Sequence, residues 1–407
     1  MSDELSRNGK RFGGPKVWLL MTRKTGENSQ VLALGEALGW PYEIKRLTHR
    51  RTELLTNLLL GPNLAGVVKR ESTPLVPPWP DVVISAGRRN EPVCRWIRQQ
   101  ACRSGKTVRV VHVGRPLARV DRFDLVVTTP QYRVRPHPHV LQNSTPLHRV
   151  TSERLGEAAA RWVERLGHLP RPYVAVVVGG HSGPYTLDRR AAKRLGEQAN
   201  AMATTRGGSL LVTTSARTPE TAARALRRSI NCPADFYTWS RTARDNPYFA
   251  YLALADVIIV TGDSISMLTE ACATRKPVFI FDLGEGRLAM RRSVQADAKL
   301  RGWRLSWNWD RPRAFIYRLA MGIGPRRLTR DIRIVHDFLV GSGRAVWLGD
   351  NFPPGPPPPP LGDIGRAVAR IRTLVYSRSE SAVGVCEPRR EAMHPTGKGE
   401  LASTVSL

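Results

Sequence analysis

Hydrophobic residues in this chain come mostly as short unbroken runs, each closed by glycine, proline or a charged residue. A strand buried on both faces reads this way, because a parallel sheet covered by helices has no use for polar alternation. In the first half the runs predict strands over 17–22, 42–47, 81–86, 107–113, 125–129 and 139–142. Between the first two, Gln30 to Leu38 carries apolar residues at helical spacing and stops at Gly39. Glu91 to Cys102 reads as another helix. Ser152 to Leu166 is an amphipathic helix, with Pro170 and Pro172 marking a boundary. The pattern then restarts with strands over 173–178, 209–214, 235–239, 256–261 and 278–282. Strands alternating with helices argue for an α/β protein with two doubly wound, Rossmann-like parallel sheets.

The stretch from Asn246 to Leu283 is the most informative. A buried strand ends at Thr261-Gly262, Asp263 or Ser264 can cap a helix carrying Met267, Leu268 and Ala271, and a second apolar strand follows. The N-terminus of that helix offers N–H groups and partial positive charge to an anion. Ser266 and Glu270 are four apart and share a helix face. A phosphate at the turn and a sugar diol at the carboxylate would fit a nucleotide. A turn without a ligand and a solvated Glu270 is the plainer alternative.

Three further loops fall at the carboxyl ends of predicted strands, where open α/β sheets bind ligands. In Thr22 to Gln30, Gly26 lets the backbone approach a ligand and Glu27 is a candidate general base, against an exposed capping role. In Gly179-Gly180-His181-Ser182-Gly183 the glycines can form an N–H nest for a diphosphate, to which Ser182 adds a hydroxyl. The alternative is a tight turn, with His181 either an acid/base candidate or a polar loop residue. The third loop, Thr213 to Pro219, supplies Arg217 for a base edge or a leaving phosphate.

The order of features from Tyr248 through Gly262, Ser264 and Glu270 to Lys276-Pro277 resembles the donor-binding half of GT-B glycosyltransferases, in which a glutamate of this helix holds the nucleotide ribose. A wider likeness runs from about residue 16 to 376. Trp18-Leu19-Leu20 with Gly26 and Gln30, Ser85-Ala86-Gly87-Arg88-Arg89, Gly179-Gly180, Thr213-Thr214-Ser215, Asn246-Pro247-Tyr248 and the segment from Thr261 to Ala271 occur in this order. Together they resemble the mitochondrial-fission ELM-type family. The resemblance implies a GT-B-like fold, two Rossmann-like domains facing across a cleft, and a nucleotide sugar as donor substrate. Similar sequences often have a histidine after the first glycine, and Glu27 departs from that pattern. The family resemblance does not by itself imply catalysis, and it equally implies a non-catalytic scaffold or peripheral-membrane role as the alternative.

Net charge is +29, with Lys plus Arg outnumbering Asp plus Glu by 25 to 11 in residues 1–150 but balanced at 4 to 4 in 377–407. The excess therefore sits on the folded halves. It suits phosphorylated substrates, a lipid-linked acceptor or an anionic membrane surface, and an arginine-rich coding bias would also produce it. On the membrane reading, Arg88, Arg89, Arg95 and Arg98 form the basic face and Trp96 inserts at the interface. Nucleic-acid-binding signatures are missing, which argues against that partner. No apolar run approaches a membrane span or a secretory core, and the five cysteines are dispersed without metal-type spacing, so a reducing cytoplasm and free thiols are expected. There is no Asp-x-Asp for a metal-bound diphosphate, and neither metal nor cofactor is expected. Ser104-Gly105-Lys106-Thr107 lacks the first P-loop glycine, and Asn143-Ser144-Thr145 is a chance sequon in a chain of this kind.

The expected organisation is a flexible N-terminus (1–15), an acceptor-side domain (16–150), a linker helix (151–170) and a donor-side domain (171–350). A proline-rich spacer and crossover helix (351–376) and a disordered tail (377–407) follow. The candidate site comprises Glu27 and His181 for catalysis and Gly26, Gly179, Gly180, Ser182, Arg217, Gly262, Ser264, Ser266 and Glu270 for the nucleotide sugar.

Overall fold

The structure, a computed structural model, describes residues 14–50, 61–243, 245–285, 289–291 and 330–377. The N-terminus to residue 13 and the tail from 378 lie outside the described residues. Two six-stranded parallel sheets form the frame. The first contains β1 (Val17–Met21), β2 (Tyr42–Arg46), β3 (Val82–Ala86), β4 (Arg109–Val113), β5 (Leu125–Thr128) and β6 (Val140–Gln142), in the order β2-β1-β3-β4-β5-β6. The second contains β7 (Tyr173–Val177), β8 (Ser209–Thr213), β9 (Ala234–Tyr237), β10 (Val257–Thr261), β11 (Val278–Phe281) and β12 (Val346–Trp347), in the order β12-β11-β10-β7-β8-β9. Every apolar run named above is a strand, and β12 joins them.

Residue alternation explains why the first sheet takes helices on both faces. Val17, Leu19 and Met21 of β1 pack with α1 (Thr25–Leu38) through Val31, Leu34 and Leu38. Trp18 and Leu20, pointing the other way, pack with Val93 and Ile97 of α2 (Glu91–Arg103). α1 ends where Gly39 takes the left-handed conformation, φ 69°, that glycine adopts without steric cost. α3 (Ser152–Leu166), capped by the Thr151 side chain, leads into the second lobe and buries Ala158, Trp162 and Leu166 in its core. That lobe adds α4 (Arg189–Thr204), α5 (Glu220–Arg228), α6 (Tyr248–Leu254), α7 (Ile265–Ala273) and α8 (Arg333–Gly341).

α9 (Asp363–Tyr376) returns to the first lobe, burying Ala367 and Ile371 against α1 and its sheet. The Asp363 carboxylate accepts from Ser144 N and Thr145 N at 3.0 and 2.9 Å, and the Arg372 guanidinium donates to the carbonyl that ends α1. Cys94, Cys232 and Cys272 are free thiols. Cys102 departs from that expectation and is disulfide-bonded.

Candidate functional site

Strand order fixes where a ligand can enter. In the first sheet the chain reverses its direction of winding between β1 and β3, and in the second between β7 and β10. At such a switch point the loops leave in opposite directions and open a crevice at the carboxyl ends of the strands. A cleft of about 540 Å³ lies there, lined by the loops after β1, β3 and β4 and, from the second lobe, by the segment Ser182 to Tyr185 with Arg330 and Ile332.

The cleft is strongly cationic. Arg23, Lys24, Arg88, Arg89, Arg115 and Arg330 line it, and Glu27 is the single carboxylate among the described lining residues. Glu27 pairs with Lys24 at 2.8 Å and rests on Gly87, whose φ of 78° and lack of a β-carbon make room for it. Arg330 donates to Ser182 Oγ at 2.9 Å, so one candidate hydroxyl is held at the rim by a cation. Burial, then the nearby charge of Arg89, lowers the pKa of His49 in the same wall to about 4.

The loops after β7 and β10 are closed against each other. Gly179 N donates to Thr261 Oγ1 at 2.7 Å and Gly180 N to Asp263 Oδ2 at 2.9 Å. These two N–H groups are therefore spent inside the protein, and the expected diphosphate nest is not open. The glycines serve close approach instead. A β-carbon on Gly179 would stand 2.5 Å from both Asp263 carboxylate oxygens, and one on Gly180 would strike the Arg217 carbonyl. Arg217 is tied down as well, at 2.9 Å to Asp263 and 3.1 Å to the His181 carbonyl. Asp263, with a side chain 0% exposed, does not cap α7; neither does Ser264. Burial holds the Asp263 carboxyl above its ordinary range despite Arg217.

His181 does not line the cleft: its Nδ1 accepts from Leu187 N at 3.2 Å, a local loop contact in place of the catalytic position considered for it. Gly26 lies in the first turn of α1 with open space around it. Gly262 is buried under α8, where His336 Nε2 meets its carbonyl at 2.7 Å. Burial lowers the pKa of His336 to about 4, so the ring is neutral and Nε2–H is the donor. Ser264 is buried and Ser266 half-buried at the start of α7.

Glu270 is not the solvated residue of the plainer alternative. It is 7% exposed, and its Oε2 accepts from the Tyr248 hydroxyl. Burial raises its pKa to about 7, against the opposing effects of Tyr248, Arg149 and Arg154. Those two arginines also hold Glu36 of α1, Arg149 by two hydrogen bonds of 3.0 and 2.5 Å, which puts Glu270 beside the junction of the lobes. No hydrogen bond to Glu270 Oε1 is made among the described residues.

The proposed membrane face is dispersed. Arg88 and Arg89 line the cleft, Arg98 pairs with Asp124, and Trp96 packs edge-on against Trp79 at 6.1 Å instead of standing free for a bilayer. Among the described residues no helix is long and apolar enough to cross a membrane. Asp263 and Tyr248 enter the sequence reading only as a helix cap and a motif residue, and His336 and Asp331 not at all. Asp331 pairs with Arg133 of the first lobe at 2.8 Å, while its backbone N–H donates to the Gln131 carbonyl.

Two doubly wound parallel lobes, a cleft at the first lobe's switch point and a final helix crossing back make this an α/β protein of GT-B-like architecture. The chain belongs to the mitochondrial fission ELM1 family, whose model matches residues 25–316. It is 29% identical over 245 residues to an Arabidopsis thaliana protein named mitochondrial fission protein ELM1. That match covers 54% of this chain and 56% of the relative, so the chain spans little more than half of that protein's length. An uncharacterized Rickettsia prowazekii protein is 23% identical over 296 residues, 65% of this chain and 82% of its own. A solved UDP-GlcNAc 2-epimerase of Neisseria meningitidis, bound to UDP-GlcNAc, aligns with a TM-score of 0.41 at 11% identity, covering 88% of this chain and all of that one. MurG of Acinetobacter baumannii aligns at 0.35 and 12% identity, with 88% and 100% covered.

Proposed function

We propose that the protein is a metal-independent GT-B-type glycosyltransferase that takes a nucleoside-diphosphate sugar as donor. The observation that carries this reading is the convergence of six cationic side chains, five from the first lobe and Arg330 from the second, on one cleft at the first lobe's switch point. A buried carboxylate with one uncommitted oxygen lies at the lobe junction. Guanidinium groups suit phosphate oxygens, since their planar fork of donors matches them. Arg88, Arg89, Arg115 and Arg330 would hold the diphosphate, and Glu270 would accept a hydrogen bond from the ribose. In transfer, an acceptor hydroxyl attacks the anomeric carbon. The carbon–phosphate-oxygen bond breaks, and the nucleoside diphosphate leaves with the electron pair, its charge met by the arginines. Glu27, in the cleft, would take the acceptor's proton. The acceptor is unspecified in this reading, with a lipid-linked one among the candidates.

One observation favours a second reading, a non-catalytic scaffold or peripheral-membrane protein of the same family. Gly179 and Gly180, which an active donor loop would offer to phosphate, donate internally. A thermal-shift screen of nucleotides and nucleotide sugars separates the two. Stabilisation by a nucleoside diphosphate that disappears in Glu270→Ala supports the transferase; a folded protein indifferent to every nucleotide leaves the scaffold.

A further inference from the structure

Beneath the cationic cleft, at the carboxyl ends of β5 and β6, lies a small chamber of about 10 Å³. Gln30, Val113, Gly114 and Tyr132 line both it and the cleft, so the chamber is the cleft's floor. Its polar wall is made by Thr128 and Asn143, 2% and 1% exposed. Thr128 Oγ1 and both Asn143 side-chain atoms, Nδ2 and Oδ1, are buried with no hydrogen-bond partner. In the next turn Gln131 donates through Nε2 to Thr129 Oγ1 at 2.9 Å, while its Oε1 is likewise buried and unpartnered.

Buried polar groups are almost always paired, because desolvation without a partner is costly. Three unpartnered atoms of two side chains around one chamber therefore point to an occupant. The occupant must both donate, to Asn143 Oδ1, and accept, from Asn143 Nδ2, and a threonine hydroxyl does either. None of the residues lining the chamber is charged. An anion would face a carbonyl oxygen there and a cation would be stripped of water with no counter-charge. A neutral hydroxyl suits the set, and the volume admits one group about the size of water.

We propose that Asn143 and Thr128 form a neutral subsite that receives a hydroxyl of a substrate whose anionic part is held above it by Arg23 and Lys24, the cleft cations that the donor diphosphate does not use. The ligand class is a phosphorylated sugar or polyol bound on the first-lobe side of the cleft. This rests on the reading of the cleft as a transferase site and gives its acceptor side a chemistry: phosphate above, hydroxyl below.

Calorimetric titration of the whole protein with inorganic phosphate and with glucose 1-phosphate tests the proposal. Wild type should bind the sugar phosphate about fivefold or more tightly than phosphate, a difference of the size one or two hydrogen bonds give. Thr128→Val, which keeps shape and removes the hydroxyl, and Asn143→Leu should bring that ratio to near one while leaving phosphate affinity unchanged. Thr128→Ser should retain the preference, and its behaviour controls for a misfolded Thr128→Val. A wild type that fails to bind either probe or to distinguish them, or a preference that survives in folded Thr128→Val, overturns the proposal and leaves the chamber a seat for water. Nucleoside diphosphate titrated in parallel keeps the readings apart. Its failure to bind beside an intact sugar-phosphate preference sinks the donor site alone; the reverse sinks this subsite alone.

Discussion

The Tyr248 hydroxyl donates to Glu270 Oε2, joining α6 to α7, and burial brings the carboxyl to a pKa of about 7. Glu270 thus changes charge near neutrality. A carboxylate accepts from a ribose hydroxyl better than a carboxylic acid does, so nucleotide-sugar affinity should rise with pH through about 7. A nucleotide sugar is the right probe, since its bridged phosphates do not themselves titrate near neutrality. The Tyr248 hydrogen bond favours the charged form, so Tyr248→Phe should move the midpoint upward. Titrations across pH 6 to 8 check both; an affinity flat in pH would count against Glu270 as the contact.

The two candidate glycines at 26 and 180 should behave oppositely. An alanine at 180 drives its β-carbon into the Arg217 carbonyl, and overpacking of this kind costs about 1–3 kcal/mol. At 26 the space is open and the residue is helical, so alanine should be neutral or stabilising by up to about 1 kcal/mol. Urea denaturation measures both. Weaker ligand binding by a fully stable Gly26→Ala would assign that glycine to ligand approach.

Buried neutral histidine makes the fold sensitive to acid. His336 titrates near 4 when folded against an ordinary 6.5. Below 6.5 the unfolded chain takes a proton that the folded one refuses, so the stability it confers is complete above 6.5 and is lost as pH falls toward 4. The loss is about 1.4 kcal/mol per pH unit in that window. His336→Asn keeps a donor for the Gly262 carbonyl but does not titrate. The stability gap between wild type and this variant should therefore narrow as pH is lowered from 7 to 5. A constant gap would contradict the burial argument.

Trp96 separates packing from membrane insertion. It meets Trp79 edge-on and packs, half-buried, against the apolar cluster between α2 and the first sheet. Trp96→Ala should cost about 1–3 kcal/mol of stability and leave co-sedimentation with anionic vesicles unchanged. Reduced vesicle binding at unchanged stability would restore the insertion reading.

The sheets were legible because parallel strands buried on both faces write themselves as apolar runs. β12, only two residues long, writes no such run. Glu270 and Ser182 could be picked out from their places after strands, whereas their surroundings could not. The Gly180–Asp263 and His336–Gly262 contacts join residues 83 and 74 positions apart, and neither periodicity nor turn chemistry encodes such pairings. For the same reason a Gly-Gly turn reads identically whether its N–H groups face a phosphate or an aspartate. Thr128 carries no signal of such a role in the sequence, and the sequon around Asn143 points to a different chemistry.

If the proposed function holds, the cleft recognises a nucleotide and not merely negative charge. The direct measurement is calorimetric binding of a nucleoside diphosphate and of inorganic diphosphate to wild type and Glu270→Ala. Wild type should bind the nucleotide more tightly than inorganic diphosphate. Glu270→Ala should weaken the nucleotide by about tenfold, the loss of one hydrogen bond to a charged group, and leave inorganic diphosphate unchanged. Equal affinity for the two ligands in wild type, or a nucleotide affinity indifferent to Glu270, would contradict it.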